Sequence, residues 1–121
     1  MSNQNQMTNK KFDLVERTGK FGESSIDFAK LIPKNVINLP IISQFIRSAT
    51  SVGANYMEAD CSESKKDFYH KIGICKKEAK ETTHWLRMIA KSSPELSTEC
   101  RTLWKESHEL TLIFCAIQSK K

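Results

Sequence analysis

Apolar residues recur along this chain in steps of four and three, the spacing that keeps one face of an α-helix turned towards a core. Leu14, Thr18, Phe21, Ser25, Phe28 and Ile32 open the pattern, and Val15, Gly22, Ile26 and Ala29 widen it to a bundle-type face. Pro33 closes this segment, because the residue before a proline is pushed out of the α region. A second stripe follows Pro40, with Ile42, Phe45, Ala49, Val52 and Tyr56 on one line. Ser48, Ala49, Ser51, Gly53 and Ala54 make this helix thin, so a neighbour can approach it closely, and it stops near Glu58 to Asp60. Ser64, with Asp67 three residues on, forms a capping-box-like start for the third segment. There Phe68, Ile72, Cys75, Ala79, Thr82, Leu86 and Ile89 run unbroken between Lys65 and Lys91, which predicts a helix about 40 Å long. Ser93 and Pro94 supply an N-cap and a first helical position for the last segment, whose stripe is Leu96, Cys100, Leu103, Ser107, Leu110, Phe114 and Ile117.

Four matched stripes joined by short connections predict an all-α fold, an antiparallel up-down-up-down four-helix bundle with helices crossing near about 20°. The 121 residues suffice for one core. The expected organisation is a flexible polar leader over residues 1–11 and a single bundle domain over residues 12–121. Phe68, Ile72, Ala79, Leu86, Leu103, Leu110 and Phe114 are expected to share that core. Gly19 and Gly22 each cost about 1 kcal/mol relative to Ala in a helix interior, and they read as a close helix crossing rather than a break. No run approaches the roughly 18 apolar residues of a membrane span. The leader lacks the apolar centre of a signal peptide, so a cytoplasmic chain with no membrane partner is expected. Cys61, Cys75, Cys100 and Cys115 show no CxxC pairing. Cys75, Cys100 and Cys115 fall on apolar stripes, where free Cys behaves as a small hydrophobe, and reduced thiols are expected.

Charge changes the picture at one place. Eight Lys or Arg against three Asp or Glu lie between Lys65 and Lys91, which accounts for the whole net charge of +5. Opposite the apolar stripe of this third helix runs the line Lys66, His70, Gly73, Lys77, Lys80, His84, Arg87 and Lys91. A solvated face is one reading of it. The other is contact with a polyanion backbone, because solvated faces ordinarily mix both signs and a single-sign row displaces counterions. Asp67, Glu78 and Glu81 lie on an adjacent line, with Ile74, Trp85 and Met88. These three apolar residues and Trp104, on the flank of the last stripe, are candidate subunit contacts, with a wide core face as the competing reading.

The chemistry-bearing residues point to no enzyme. Glu81-Thr82-Thr83-His84 has the ExxH spacing of di-iron bundles, but such sites need a second ExxH string and two further carboxylates. His84 also sits about 200° around the helix from the core position Thr82. No metal and no cofactor are expected. GxSxG, HExxH, Walker and GxGxxG patterns are absent, and His70, His84 and His108 have no nucleophile at supporting spacing. Glu58, Asp60 and Glu63, just before the third helix, suit its positive N-terminus.

The stretch Ile46-Arg47-Ser48-Ala49-Thr50-Ser51-Val52-Gly53-Ala54-Asn55-Tyr56-Met57-Glu58-Ala59 carries a family signature. Ser64-Lys65-Lys66-Asp67-Phe68, Lys77-Glu78-Ala79-Lys80-Glu81-Thr82 and Trp85-Leu86-Arg87 add to it, as do Phe12-Asp13-Leu14 and Leu31-Ile32-Pro33. Together they resemble the bacterial four-helix bundles of the 23S rRNA intervening-sequence proteins, also called the S23 family, over residues 12–121. Gly19 and Gly22 depart from the pattern, where good helix formers are common. The resemblance implies no catalytic residues. Members are often encoded within insertions in the large-subunit rRNA gene. A related bundle, the accessory variability protein of diversity-generating retroelements, forms a positively charged pentamer that engages nucleic acid. The resemblance therefore implies a homo-oligomer, a pentamer by analogy, with structured RNA or another nucleic acid as partner. The alternative is an interaction scaffold that docks an acidic protein.

Overall fold

The computed structural model describes the backbone of residues 3–121 and the side chains of residues 14–121. The expected leader over residues 1–11 lies outside the fully described residues, as do the side chains of Phe12 and Asp13. Four helices follow one another: α1 (Asn3–Ala29), α2 (Asn38–Asp60), α3 (Lys65–Ser92) and, after a single 3-10 turn at Pro94–Leu96, α4 (Ser97–Gln118). Each packs against the next in the chain, and α1 closes back on α4 along a thinner seam. Among the described residues the diagonal pair α2 and α4 meets only through side chains in the core, Tyr56 lying against Phe114 with ring centroids 6.2 Å apart. Asn38 fixes the topology at one end. Its buried amide donates to the Pro33 carbonyl at 2.9 Å and to Ser93 Oγ at 3.4 Å, and accepts from the Ser92 hydroxyl. The α1–α2 and α3–α4 connections therefore meet, as an alternating antiparallel bundle requires.

Local chemistry sets where each helix begins and ends. Ser64 is extended and its hydroxyl accepts from the Asp67 N–H at 3.1 Å, as its spacing predicts. Asn35 Oδ1 accepts from the N–H groups of Ile37 and Asn38, at 3.1 and 2.8 Å. That lets α2 start two residues before Pro40, whose missing N–H costs nothing in a first turn. Lys34 Nζ donates to the carbonyls of Ala29, Lys30 and Ile32, satisfying the end of α1 before Pro33 is reached. Ser93 departs from expectation. Its N–H closes α3 on the Ile89 carbonyl at 2.7 Å, and its hydroxyl is buried against Asn38, so it does not cap α4.

Six of the seven expected core residues are buried; Phe68 is half-buried and meets Tyr69 edge-on, with ring centroids 5.3 Å apart. Phe21, Phe28, Phe45, Val52 and Tyr56 supply the α1 and α2 side of the core. Two residues expected on apolar faces are exposed instead. Ile26 and Cys115 each follow a core position, Ser25 and Phe114, and one step turns a side chain about 100° around the helix. Polar atoms inside the core are matched. Thr82 donates to the Glu78 carbonyl at 2.8 Å with Ser48 Oγ 2.9 Å away, and Ser107 donates to the Ala79 carbonyl at 2.6 Å.

The α1–α2 crossing is closest at Gly53, where an added Cβ would lie 3.3 Å from the Thr18 carbonyl oxygen. Gly22 faces the Thr50 Cα at 3.7 Å, as a crossing residue should, but Gly19 meets nothing within 4 Å and marks no contact. Helix α1 runs through both without interruption. Among the described residues, no helix is long and apolar enough to cross a membrane.

Candidate nucleic-acid interface

The buried stripe of α3 fixes the rotation of the helix, and with it everything on the opposite side. Ile72, Cys75, Ala79, Thr82, Leu86 and Ile89 are buried. Lys66, His70, Lys77, Lys80, His84, Arg87 and Lys91 consequently all stand exposed on one outward line. Gly73 is the uncharged member. The Gln118 side chain of α4 lies over it, with Nε2 only 2.8 Å from where a Cβ would be. The line is thereby divided into a short pair, Lys66 and His70, and a longer run from Lys77 to Lys91.

Ion pairing sorts the remaining charges of α3. Arg47 of α2 reaches Glu78, which is buried, at 3.0 Å, and also pairs with Glu81. Lys71 pairs with Glu58 of α2 at 3.0 Å, and this bond raises the Lys71 pKa. Glu78 and Glu81, two of the three acids of the basic segment, therefore face α2, and Asp67 stays exposed in the first turn of α3. Among the described residues, none of the seven basic side chains on the outward line takes part in an ion pair.

The four expected subunit-contact residues do not form one patch. Ile74, Trp85 and Met88 are half-buried. Trp85 packs against the core of its own bundle, and its indole N–H donates to Glu81 at 3.0 Å, so it belongs to the flank that meets α2. Ile74 precedes Glu78 and Glu81 by four and seven residues and shares that flank. Trp104 lies elsewhere. It is 41% exposed on α4 and stacks on His108, with ring centroids 4.9 Å apart and planes at 14°.

Helix α4 adds residues that the sequence pattern did not single out. Arg101 and Lys105 are exposed and line an open groove of about 540 Å³ between α3 and α4, floored by Leu86, Ala90 and Cys100. A second groove of about 500 Å³ is lined by Lys77, Lys80, His84 and Arg87, and Trp104 and Arg87 border both. Two of the three acids of α4 are turned away: Glu106 accepts two bonds from Arg17 of α1 at 2.8 Å, and Glu109 pairs with Arg17 at 3.2 Å, whereas Glu99 is exposed in the first turn. The four-residue step from Arg101 to Lys105, opposite Leu103 and Leu110, was the available signal. It is hidden in a net count because α4 carries as many acids as it needs to mask it.

The arrangement gathers exposed cations that have no ion-pair partner among the described residues. Glu81 is held by Arg47 and Trp85 while His84 points outward, so the ExxH string does not converge. Among the described residues no group of three His, Cys, Asp or Glu is placed to hold a metal ion. Burial pushes the Cys75 thiol up to about 12 and the Cys100 thiol up to about 11, which keeps both protonated and unreactive at neutral pH.

No curated protein matches the sequence significantly. A crystal structure of a protein of unknown function from the S23 ribosomal protein family of Bacteroides thetaiotaomicron VPI-5482 is similar throughout. It superposes with a TM-score of 0.82 at 25% identity, over 91% of this chain and 98% of that one. The family model described as 23S rRNA-intervening sequence protein matches residues 10–116. With the same bundle, and with a family match that takes in all four helices, the chain belongs to the 23S rRNA-intervening sequence protein family.

Proposed function

We propose that this chain is a cytoplasmic, non-enzymatic bundle that binds RNA through the outward face of α3, in an assembly of several copies. One observation carries the reading: the basic side chains of that face are exposed and free of ion pairs among the described residues, while Glu78 and Glu81, two of the three acids of the same helix, are held by α2. Residues a heptad apart repeat about every 10 Å along the helix, so such a row meets phosphates repeatedly and reads few base edges. Binding is therefore expected to be largely sequence-tolerant. The family description, with its reference to 23S rRNA, favours RNA among polyanions.

The test is a mobility shift with structured RNA. Replacing Lys77 and Lys80 with Glu should weaken binding by about tenfold or more while leaving the helical signal intact, because both side chains are exposed. Wild-type binding by the double variant would reduce the line to a solvated face. Binding of an acidic protein without any RNA binding would replace this reading with that of an interaction scaffold.

Assembly is the second part of the reading. Five copies follow from the analogy with the related pentameric bundle, and light scattering should give a mass several times the 13.8 kDa chain. A monomer mass at tens of micromolar would refute assembly; a dimer or tetramer would correct only the number.

A further inference from the structure

From the α3–α4 groove we infer that Trp104 is a stacking platform for an unpaired nucleobase, so that the ligand is a single-stranded or looped segment of RNA and not a plain duplex. This rests on the polyanion-binding reading of α3 and narrows it.

Among the described residues eight large apolar side chains are exposed, and Trp104, at 41%, is the aromatic one, with a ring face that can stack. Trp85 shows the ordinary solution, a ring packed on the core with its N–H given to Glu81. Trp104 has neither. Its ring leans on His108 at 14°, which holds the indole plane in place, and among the described residues its N–H donates to no protein group. Lys77, Lys80, Arg87, Arg101 and Lys105 surround it in the two grooves, and among the described residues none of the five is held in an ion pair. The acid that reaches these grooves, Glu81, is already held by Arg47.

That combination selects its occupant. A second copy docking about a twofold axis would set this cluster of cations against its own image; a head-to-tail neighbour in a ring would instead cover Trp104, and loss of the oligomer mass in Trp104→Ala would overturn the stacking assignment in its favour. An acidic peptide would satisfy the charges and leave the indole face unused. A nucleotide uses both: phosphates lie against Lys and Arg, and the base stacks on the ring. In a duplex the bases are already stacked on one another, so only unpaired nucleotides can offer a face to Trp104.

The experiment compares a fluorescently labelled single-stranded oligoribonucleotide with a blunt RNA duplex of equal phosphate count, by anisotropy. The proteins are the wild type, Trp104→Ala, Trp104→Phe and Lys77→Glu/Lys80→Glu. The wild type should prefer the single strand and its indole fluorescence should be quenched on binding. Trp104→Ala should lose about 10- to 100-fold on the single strand and change little on the duplex, and Trp104→Phe should retain most of the affinity. The helical content and melting of each variant are read alongside. Wild-type affinity of Trp104→Ala for the single strand overturns the stacking assignment, and if the lysine variant is still weakened the polyanion reading survives alone. Equal losses on both probes also overturn it, since they mark a structural effect. Failure of the wild type to bind either probe removes both.

Discussion

Burial alone separates the four cysteines, and their reactivity reads out the core residue by residue. Cys75 and Cys100 are enclosed, whereas Cys61 and Cys115 are exposed. A thiol reagent at neutral pH should therefore label Cys61 and Cys115 in the folded protein and reach Cys75 and Cys100 only when denaturant is added; labelling of all four without denaturant would contradict the packing of α3 and α4. Burial also makes Cys75 a source of pH dependence. Folded, it keeps its proton up to about 12, against 9.0 for an ordinary thiol. The folded state then holds a proton that the unfolded state has lost, so this contribution to stability is complete below about 9 and falls as pH rises towards 12. Denaturant melts at neutral and alkaline pH should show that decline, and Cys75→Ala should reduce it. The burial of Cys75 was legible from its place in the stripe. The exposure of Cys115 was not, because a position adjacent to a core residue falls inside or outside the contact according to a rotation that only the packed neighbours define.

At the scale of helices, α2 and α3 are joined by a polar link that also determines the electrostatics of the outward face. Arg47 neutralises Glu78 and Glu81 together, and Glu78 is too buried to rely on water. Arg47→Ala should destabilise the bundle by about 1–3 kcal/mol, because it leaves a buried carboxylate unpaired. Lys80→Ala, on the exposed line, should stay within about 0.5 kcal/mol. Chemical melts of the two variants check this, and equal effects would mean that the Arg47 link does not stabilise the fold. Helix positions followed from the stripes because each stripe is a local property, and the ends of α3 followed from Ser64 in the same way. The start of α4 did not. Ser93 and Pro94 form a good local helix start, yet the Ser93 hydroxyl is committed to Asn38, a partner 55 residues away in sequence. The Gly19 reading failed for a related reason: the α1–α2 crossing is set by Gly53 and Gly22, and Gly19 sits outside it.

For the whole molecule, the bundle distributes charge by helix pair. The seam between α1 and α4 takes Glu106 and Glu109 to Arg17, the seam between α2 and α3 takes Glu78 and Glu81 to Arg47, and the α3–α4 side keeps cations that, among the described residues, are in no ion pair. Half of this site could be read from sequence, since the line from Lys66 to Lys91 lies on one helix. The contribution of Arg101, Trp104 and Lys105 depends on which face α4 presents to α3, and no single-helix pattern contains that. The most direct test is the salt dependence of RNA affinity for the wild type and the Lys77→Glu/Lys80→Glu variant. The account predicts that log K falls linearly with log salt with a slope of about −3 to −5 for the wild type, and that the variant flattens the slope by about 2. A wild-type affinity that ignores salt, or identical slopes for the two proteins, would contradict it.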